Sequence, residues 1–198
     1  MVSIEKLKKE FSKNGGIMKT SELNSLGLDS RKINKLIKNN KLTRIKHGYY
    51  ILNNTNPKEE VIIARMFPEA IIYLESALLY YKYTDRIPNT WQITVEKHSN
   101  PKKYDISYLP LKPYYIKEKY RKIGVNKTTI NNITIKVYDL EKTICDILRY
   151  ENKIDNEVFT KTIKKYINDD SKNIRKLMEY AKKLKVDKKV QKYIGVWI

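Results

Sequence analysis

A single cysteine, Cys145, rules out an intrachain disulfide and any zinc cluster built on thiolates. Histidine is almost as scarce. His47 and His98 are the only two, and neither stands beside a carboxylate cluster that could complete a metal site. No apolar run approaches the roughly 18–20 residues that a membrane span needs. Residues 1–20 carry Lys6, Lys8, Lys9 and Lys13, but no long apolar stretch follows them. A cleaved signal peptide is therefore not expected, and the cytoplasm is the expected compartment. The motifs of common catalytic sites are missing too. There is no Gly-rich phosphate loop, no Gly-x-Ser-x-Gly elbow and no His-Glu-x-x-His pair. The Gly-Ser pair with a spaced Asp-x-Asp that a nucleotidyltransferase uses is absent as well. Asp169-Asp170 reads as a loop pair without a partner. Glu75, set among apolar neighbours, reads as a buried, hydrogen-bonded group. The expectation is a protein that is not an enzyme, with no catalytic residue, metal or cofactor.

Acidic residues are also few for the number of basic ones. Against 41 Lys and Arg stand 22 Asp and Glu, a formal net charge of +19. Such an excess favours a polyanionic partner, because each phosphate neutralised releases condensed counterions. The joint richness in Lys, Asn and Ile is also what an AT-rich coding sequence would give. The position of the charge therefore matters more than its sum. With 41% apolar residues in 198, the chain can build a packed core of one large domain or two small ones.

Residues 1–53 read as three short helices and a hairpin. Ile4, Leu7 and Phe11 form a helical stripe over about 3–13, which Gly15-Gly16 stops. Thr20 is the expected N-cap of a second helix over 21–26, with Glu22 in its first turn and Leu23 and Leu26 inward. Asp29 or Ser30 caps a third helix to about Asn39. Lys41 to Leu52 reads as a hairpin turning at Lys46-His47-Gly48, where glycine permits positive φ. The polar stretch Asn53–Pro57 marks a domain boundary, and Pro57 suits the first turn of a helix to about Phe67.

Residues 57–198 read as a mixed α+β domain ending in several helices. Tyr73–Tyr83 is expected to be helical. Trp91–Val95, Ser107–Leu109, Tyr114–Lys117 and Ile133–Tyr138 are strand candidates. Helices are expected near 139–150, 156–168, 172–184 and 187–194. Strands followed by a run of helices make the fold class α+β and argue against a doubly wound parallel sheet.

The third helix carries the sharpest functional signal. With Ile33 at the centre of its buried face, Leu36 and Ile37 fall close by, and Arg31, Lys35 and Lys38 fall opposite. Asn34 and Asn39 flank that stripe, and Lys32 joins the DNA-binding candidates. No acidic residue lies between Arg31 and Asn56. Such a helix fits a major groove. Arg31 is placed for a guanine edge, Asn34 for adenine, and Lys35 and Lys38 for phosphates. The hairpin adds Arg44, Lys46, His47 and Tyr49, suited to backbone contact. A lysine-rich solvated face is the competing reading. The order of a glycine-broken helix pair, basic helix and Gly-containing hairpin favours a winged helix-turn-helix that binds double-stranded DNA.

Two stretches resemble a known family. The first is Gly15-Gly16-Ile17-Met18-Lys19-Thr20-Ser21-Glu22-Leu23, then Leu26-Gly27-Leu28-Asp29-Ser30-Arg31-Lys32-Ile33. It continues through Leu36, Asn40-Lys41-Leu42, Arg44-Ile45 and Gly48-Tyr49-Tyr50. The second is Tyr138-Asp139-Leu140-Glu141-Lys142-Thr143-Ile144-Cys145-Asp146-Ile147-Leu148-Arg149. Together they resemble the AbiEi family, the antitoxins of abortive-infection type IV toxin–antitoxin systems. The resemblance implies a repressor of its own operon that binds promoter inverted repeats through the winged helix. It also implies an antitoxin that counteracts a co-encoded nucleotidyltransferase toxin, generally without a stable complex. Inverted repeats would call for two copies, which could assemble only on DNA. Lys142 departs from the arginine common at its position. A winged-helix regulator unconnected with a toxin, or a metal-dependent nuclease holding DNA in a basic groove, are the alternatives.

The second stretch also supports a bottom-up reading. Asp139 should cap a helix whose Leu140, Ile144, Ile147 and Leu148 face inward. Lys142 and Asp146 are four apart and should pair on its outer face, as a solvated pair or a docking contact. Cys145 reads as small and partly buried, with Lys142 and Arg149 near enough to activate a thiol. The tyrosines Tyr80, Tyr81, Tyr83, Tyr114 and Tyr115 read as core rings with wet hydroxyls, or as stacking platforms. The late lysines, such as Lys164, Lys182 and Lys188, could extend a DNA footprint or be solvated surface.

Overall fold

The computed structural model describes residues 3–195. Helix α1 (Ile4–Lys13) begins at Ser3, whose hydroxyl accepts from the Lys6 amide. Leu7 and Phe11 turn inward, but Ile4, expected in the same stripe, is 51% exposed at the helix start. The glycine pair ends α1, with the Gly16 amide donating to the Phe11 carbonyl at 2.7 Å. Both glycines have positive φ. A Cβ on Gly15 would sit 2.5 Å from Val61, and one on Gly16 2.7 Å from Pro57, so backbone and neighbours approach here as only glycine allows.

A short strand, β1 (Ile17–Lys19), follows that the sequence pattern did not suggest. Helix α2 (Thr20–Ser25) starts one residue earlier than expected, with Lys19 and not Thr20 at the N-cap. The Thr20 amide is instead committed to the Gly48 carbonyl, and the Glu22 carboxylate reaches back to the Lys19 amide at 2.8 Å. Helix α3 (Ser30–Lys38) is capped by Asp29, which accepts from the Lys32 amide at 2.8 Å. Strands β2 (Leu42–Lys46) and β3 (Tyr49–Leu52) form the expected hairpin, with Gly48 at positive φ in its turn. The strand order is β1-β3-β2, all antiparallel, with a bulge between Arg44 and Lys46. Helix, strand, two helices and a hairpin form a winged helix-turn-helix. Its core is Leu7, Phe11, Met18, Leu23, Leu28, Ile33, Leu42, Tyr50 and Leu52. Each such side chain contributes about 1.5–3 kcal/mol on full burial.

Helix α4 (Glu59–Met66) has Lys58 at its N-cap. Pro57 therefore precedes the helix instead of opening its first turn, and its buried ring packs on Gly16. One compact unit runs to Ala70 and takes in Asp105–Pro110 and Lys127–Ile135. The other comprises Ile71–Tyr104, Leu111–Asn126 and residues from Lys136 on.

The chain as a whole is α+β. The Tyr73–Tyr83 stretch is shorter in helix than expected: β4 (Ile71–Ile72) leads into α5 (Leu74–Tyr80). Leu74, buried, holds φ near +46° at this junction, a strained value for a leucine. Gln92 clamps the turn. Its side-chain carbonyl accepts from the Glu75 amide, its side-chain amide donates to Glu75 Oε1, and its backbone amide donates to Ser76 Oγ. Glu75 is thus a hydrogen-bonded group, half-buried and not fully enclosed.

Strands β5 (Trp91–Glu96), β6 (Leu111–Ile116), β7 (Val125–Ile130) and β8 (Ile133–Tyr138) join β4 in a mixed sheet of order β6-β5-β4-β8-β7. β5 runs antiparallel to β4, and β6 parallel to β5. Pro113 in β6 is tolerated because β6 is an edge. Ser107–Leu109 is not a strand, and β7 and the short α6 (Glu118–Arg121) were not anticipated. Four helices follow: α7 (Leu140–Arg149), α8 (Asn156–Ile167), α9 (Ile174–Leu184) and α10 (Asp187–Tyr193).

Helix α7 overturns the expected outer-face ion pair. It is ringed by α5, α8, α9 and α10, and every residue from Glu141 to Leu148 is buried. Lys142 and Asp146 do pair, but with 2% and 1% of their side chains exposed. The Lys142 ammonium also lies over the Tyr138 ring at 4.3 Å and the Tyr73 ring at 5.6 Å. Burial pushes the Asp146 carboxyl up against the opposing pull of Lys142. Cys145 is fully buried, and burial pushes its thiol up to about 12. Tyr83 is buried and Tyr80, Tyr81 and Tyr114 half-buried, so these rings serve the core more than a stacking surface, whereas Tyr115, expected in the core with them, is exposed.

Candidate nucleic-acid interface

Helix α3 is held by one face only. Ile33 is buried at 2% exposure, Leu36 and Ile37 are half-buried against the core, and the helix packs on β2. Arg31, Lys32, Asn34, Lys35 and Lys38 are all exposed, as the 3.6-residue repeat demands. Lys32 is diverted: its Nζ donates to the Gly27 carbonyl at 2.8 Å and closes the turn between α2 and α3. Among the described residues no ion pair engages Arg31, Lys35 or Lys38. Arg31 lies in the first turn, where the helix dipole already presents positive charge. A cation there is mildly unfavourable alone and becomes favourable when an anion approaches.

The wing divides its candidates in two. Arg44 and His47 are exposed, and the Arg44 guanidinium contacts His47 Nδ1. Lys46 and Tyr49 are half-buried. The Lys46 ammonium lies over the Phe67 ring at 5.1 Å, and Lys19 lies over the Tyr49 ring at 5.9 Å. These two therefore brace the wing from within, while Arg44 and His47 face solvent.

Local sequence patterning misses the residues that hold this arrangement from behind. Arg65 of α4 donates to both Glu22 oxygens at 2.6 Å, across 43 residues of sequence. Glu22 is thus fixed at once by Arg65 and by the Lys19 amide, which pins the start of α2. Phe67 under Lys46 and Pro57 against Gly16 extend the same support. Only the helical pattern after Pro57 signals them, and that pattern says nothing of which partner each would find.

The late basic residues are partly compensated. Lys161, Lys183 and Lys189 pair with Glu157, Glu179 and Glu151, and Lys176 with Asp139. Lys164, Lys182 and Lys188 remain exposed. Among the described residues no group of His, Cys, Asp and Glu could hold a metal ion, and no helix is long and apolar enough to cross a membrane.

Residues 5–53 match the family model described as a transcriptional regulator, AbiEi antitoxin. The similarity to that family lies in the N-terminal winged helix. The match covers α1 through β3, about a quarter of the chain. No curated protein matches the chain.

Proposed function

We propose that the chain is a cytoplasmic antitoxin that represses its own operon by binding promoter inverted repeats. In this reading α3 enters the major groove. Arg31 and Asn34 meet base edges, Lys35 and Lys38 serve the backbone, and Lys32, held by the Gly27 carbonyl, closes the turn that presents them. Arg44 and His47 of the wing reach phosphates, with Lys46 and Tyr49 shaping the wing that carries them. One observation carries the reading: Arg31, Lys35 and Lys38 are exposed on one helix face, and among the described residues no acidic side chain pairs them. A merely solvated face gains from interspersed carboxylates; this one has none.

An inverted repeat needs two copies, so a dimer forms on the DNA. The antitoxin role rests on the family description of residues 5–53 and on the resemblance of residues 138–149. Its target would be a co-encoded nucleotidyltransferase toxin, counteracted without a stable complex. The chain acts as a binding protein and not an enzyme.

Footprinting on the promoter upstream of the chain's own gene tests this. The expected result is protection of two half-sites related by a two-fold axis. Affinity should fall steeply with salt, the log–log slope growing by about 0.9 for each phosphate contacted. Unprotected promoter DNA, or a flat salt dependence, would refute operator binding.

A further inference from the structure

The base of the wing holds a groove whose lining includes none of the residues proposed above to contact DNA. Its floor is apolar, made by Leu7, Phe11, Leu52 and Pro57, with Leu36 alongside. Ile4, 51% exposed on the first turn of α1, stands at its edge as an unsatisfied apolar side chain. The groove has a volume of about 810 Å³, within the range of sites that enclose a ligand group of side-chain size or larger. Its rim is polar: Asn40, Asn53 and Asn56 contribute amides, each able to donate and accept. Among the described residues Lys8 and Lys41 supply the charges of the lining, with no carboxylate beside them.

Location separates this groove from the reading surface. It is lined by the C-terminal end of α3 and by the open ends of the wing strands, at Lys41 and Asn53. Arg31 and the His47-Gly48 turn lie at the opposite ends of those same elements. A molecule seated here would leave the reading end of α3 uncovered.

The geometry points to a docking site for an acidic segment of a partner protein, one that places a large apolar side chain on Ile4 and Leu7 and carboxylates on Lys8 and Lys41. The charge selects the sign: two lysines and no acid in the lining repel a basic segment and attract an acidic one. The apolar floor selects a peptide over a phosphodiester, which has no group to bury against Leu7 and Phe11. Amides along the rim match the alternating donors and acceptors of a peptide main chain. This inference does not rest on operator binding and stands or falls separately.

The test selects a displayed library of 12-residue peptides on the immobilised full-length chain, then measures the leading peptide by fluorescence anisotropy. Enriched peptides should combine Asp or Glu with a large apolar residue. Binding should weaken by about tenfold or more in the Lys8→Glu/Lys41→Glu double variant and also in Ile4→Ser, all exposed positions whose change leaves the fold intact. Arg31→Ala should bind the peptide as wild type does. Selection of basic or neutral peptides, no selection at all, or unchanged affinity in the double variant would overturn the proposal. So would sedimentation showing a dimer of the free chain that Ile4→Ser dissolves, because the groove would then belong to a second copy. Loss of duplex binding in the double variant as large as in Arg31→Ala would make the groove a DNA surface and overturn it equally.

Discussion

Helices α3 and α7 are built from the same ingredients. Each opens on an aspartate cap, Asp29 or Asp139, that accepts from the amide three residues on. Each carries an apolar stripe and basic residues at helical spacing. Yet α3 presents its cations to solvent, whereas α7 buries Lys142 at 1% exposure. The cause lies in what surrounds them. α3 rests on one layer, and α7 is enclosed by α5, α8, α9 and α10. The sequence holds one trace of this: Lys142 has a carboxylate at i+4, and Arg31, Lys35 and Lys38 have none. A cation with its own counter-ion can be taken inside; one without must stay out or meet an external anion.

The comparison breaks first at α7. Asp146→Ala leaves Lys142 buried and unpaired, so it should cost about 3–5 kcal/mol. At about 2–4 °C per kcal/mol for a chain of this size, the thermal midpoint should fall by roughly 10 °C. Replacing the pair together, as Lys142→Met/Asp146→Leu, should recover most of that loss. A single-variant loss under about 0.5 kcal/mol would mean the pair is solvated and the contrast with α3 is false.

A smaller effect sharpens the other side. Arg65→Ala removes a two-pronged, half-buried bridge to Glu22, and a loss of about 1–2 kcal/mol in melting is expected. DNA affinity measured well below the melting temperature should fall only modestly, because Arg65 supports α2 through Glu22 and Ile17, neither of them proposed to contact DNA. Equal affinity loss to that of Arg31→Ala would show that the back support, not the exposed face, sets binding.

Cys145 gives the smallest and cleanest contrast. With its thiol pushed up to about 12 and no exposed surface, it should hold almost no thiolate at pH 8. A thiol reagent should react only as fast as the chain unfolds, and at once in denaturant. Fast reaction of the native protein would show that α7 is open.

The winged helix was legible because its signals are local. Gly15-Gly16, Asp29, the Ile33-centred stripe and His47-Gly48 each act within a few residues. Strand β1 escaped notice because three residues between a glycine pair and a helix are too few to show alternation. Thr20 looked like the cap, but its amide is claimed by Gly48 from the wing, a contact no local pattern reveals. The Lys142–Asp146 pair reads alike whether wet or buried, since spacing fixes partners and only packing fixes depth. Val125–Ile130 alternates weakly among lysine and asparagine, and Ser107–Leu109 offers short β-formers without a neighbouring strand to pair. In the candidate interface the exposed face of α3 follows from periodicity. The inward turn of Lys46 depends on Phe67, beyond any short window.

The central claim is that the exposed face of α3 reads DNA, and Arg31→Ala tests it most directly. The measurement is a competition titration of wild type, Arg31→Ala and Lys38→Ala on promoter and random duplexes, with thermal melts alongside. Melts should agree within about 0.5 kcal/mol, because both side chains are exposed. Arg31→Ala should weaken promoter binding by about 1–3 kcal/mol and erode its preference over random DNA, whereas Lys38→Ala should weaken both duplexes alike. Wild-type promoter affinity in a normally melting Arg31→Ala protein would contradict the claim and remove α3 from the interface.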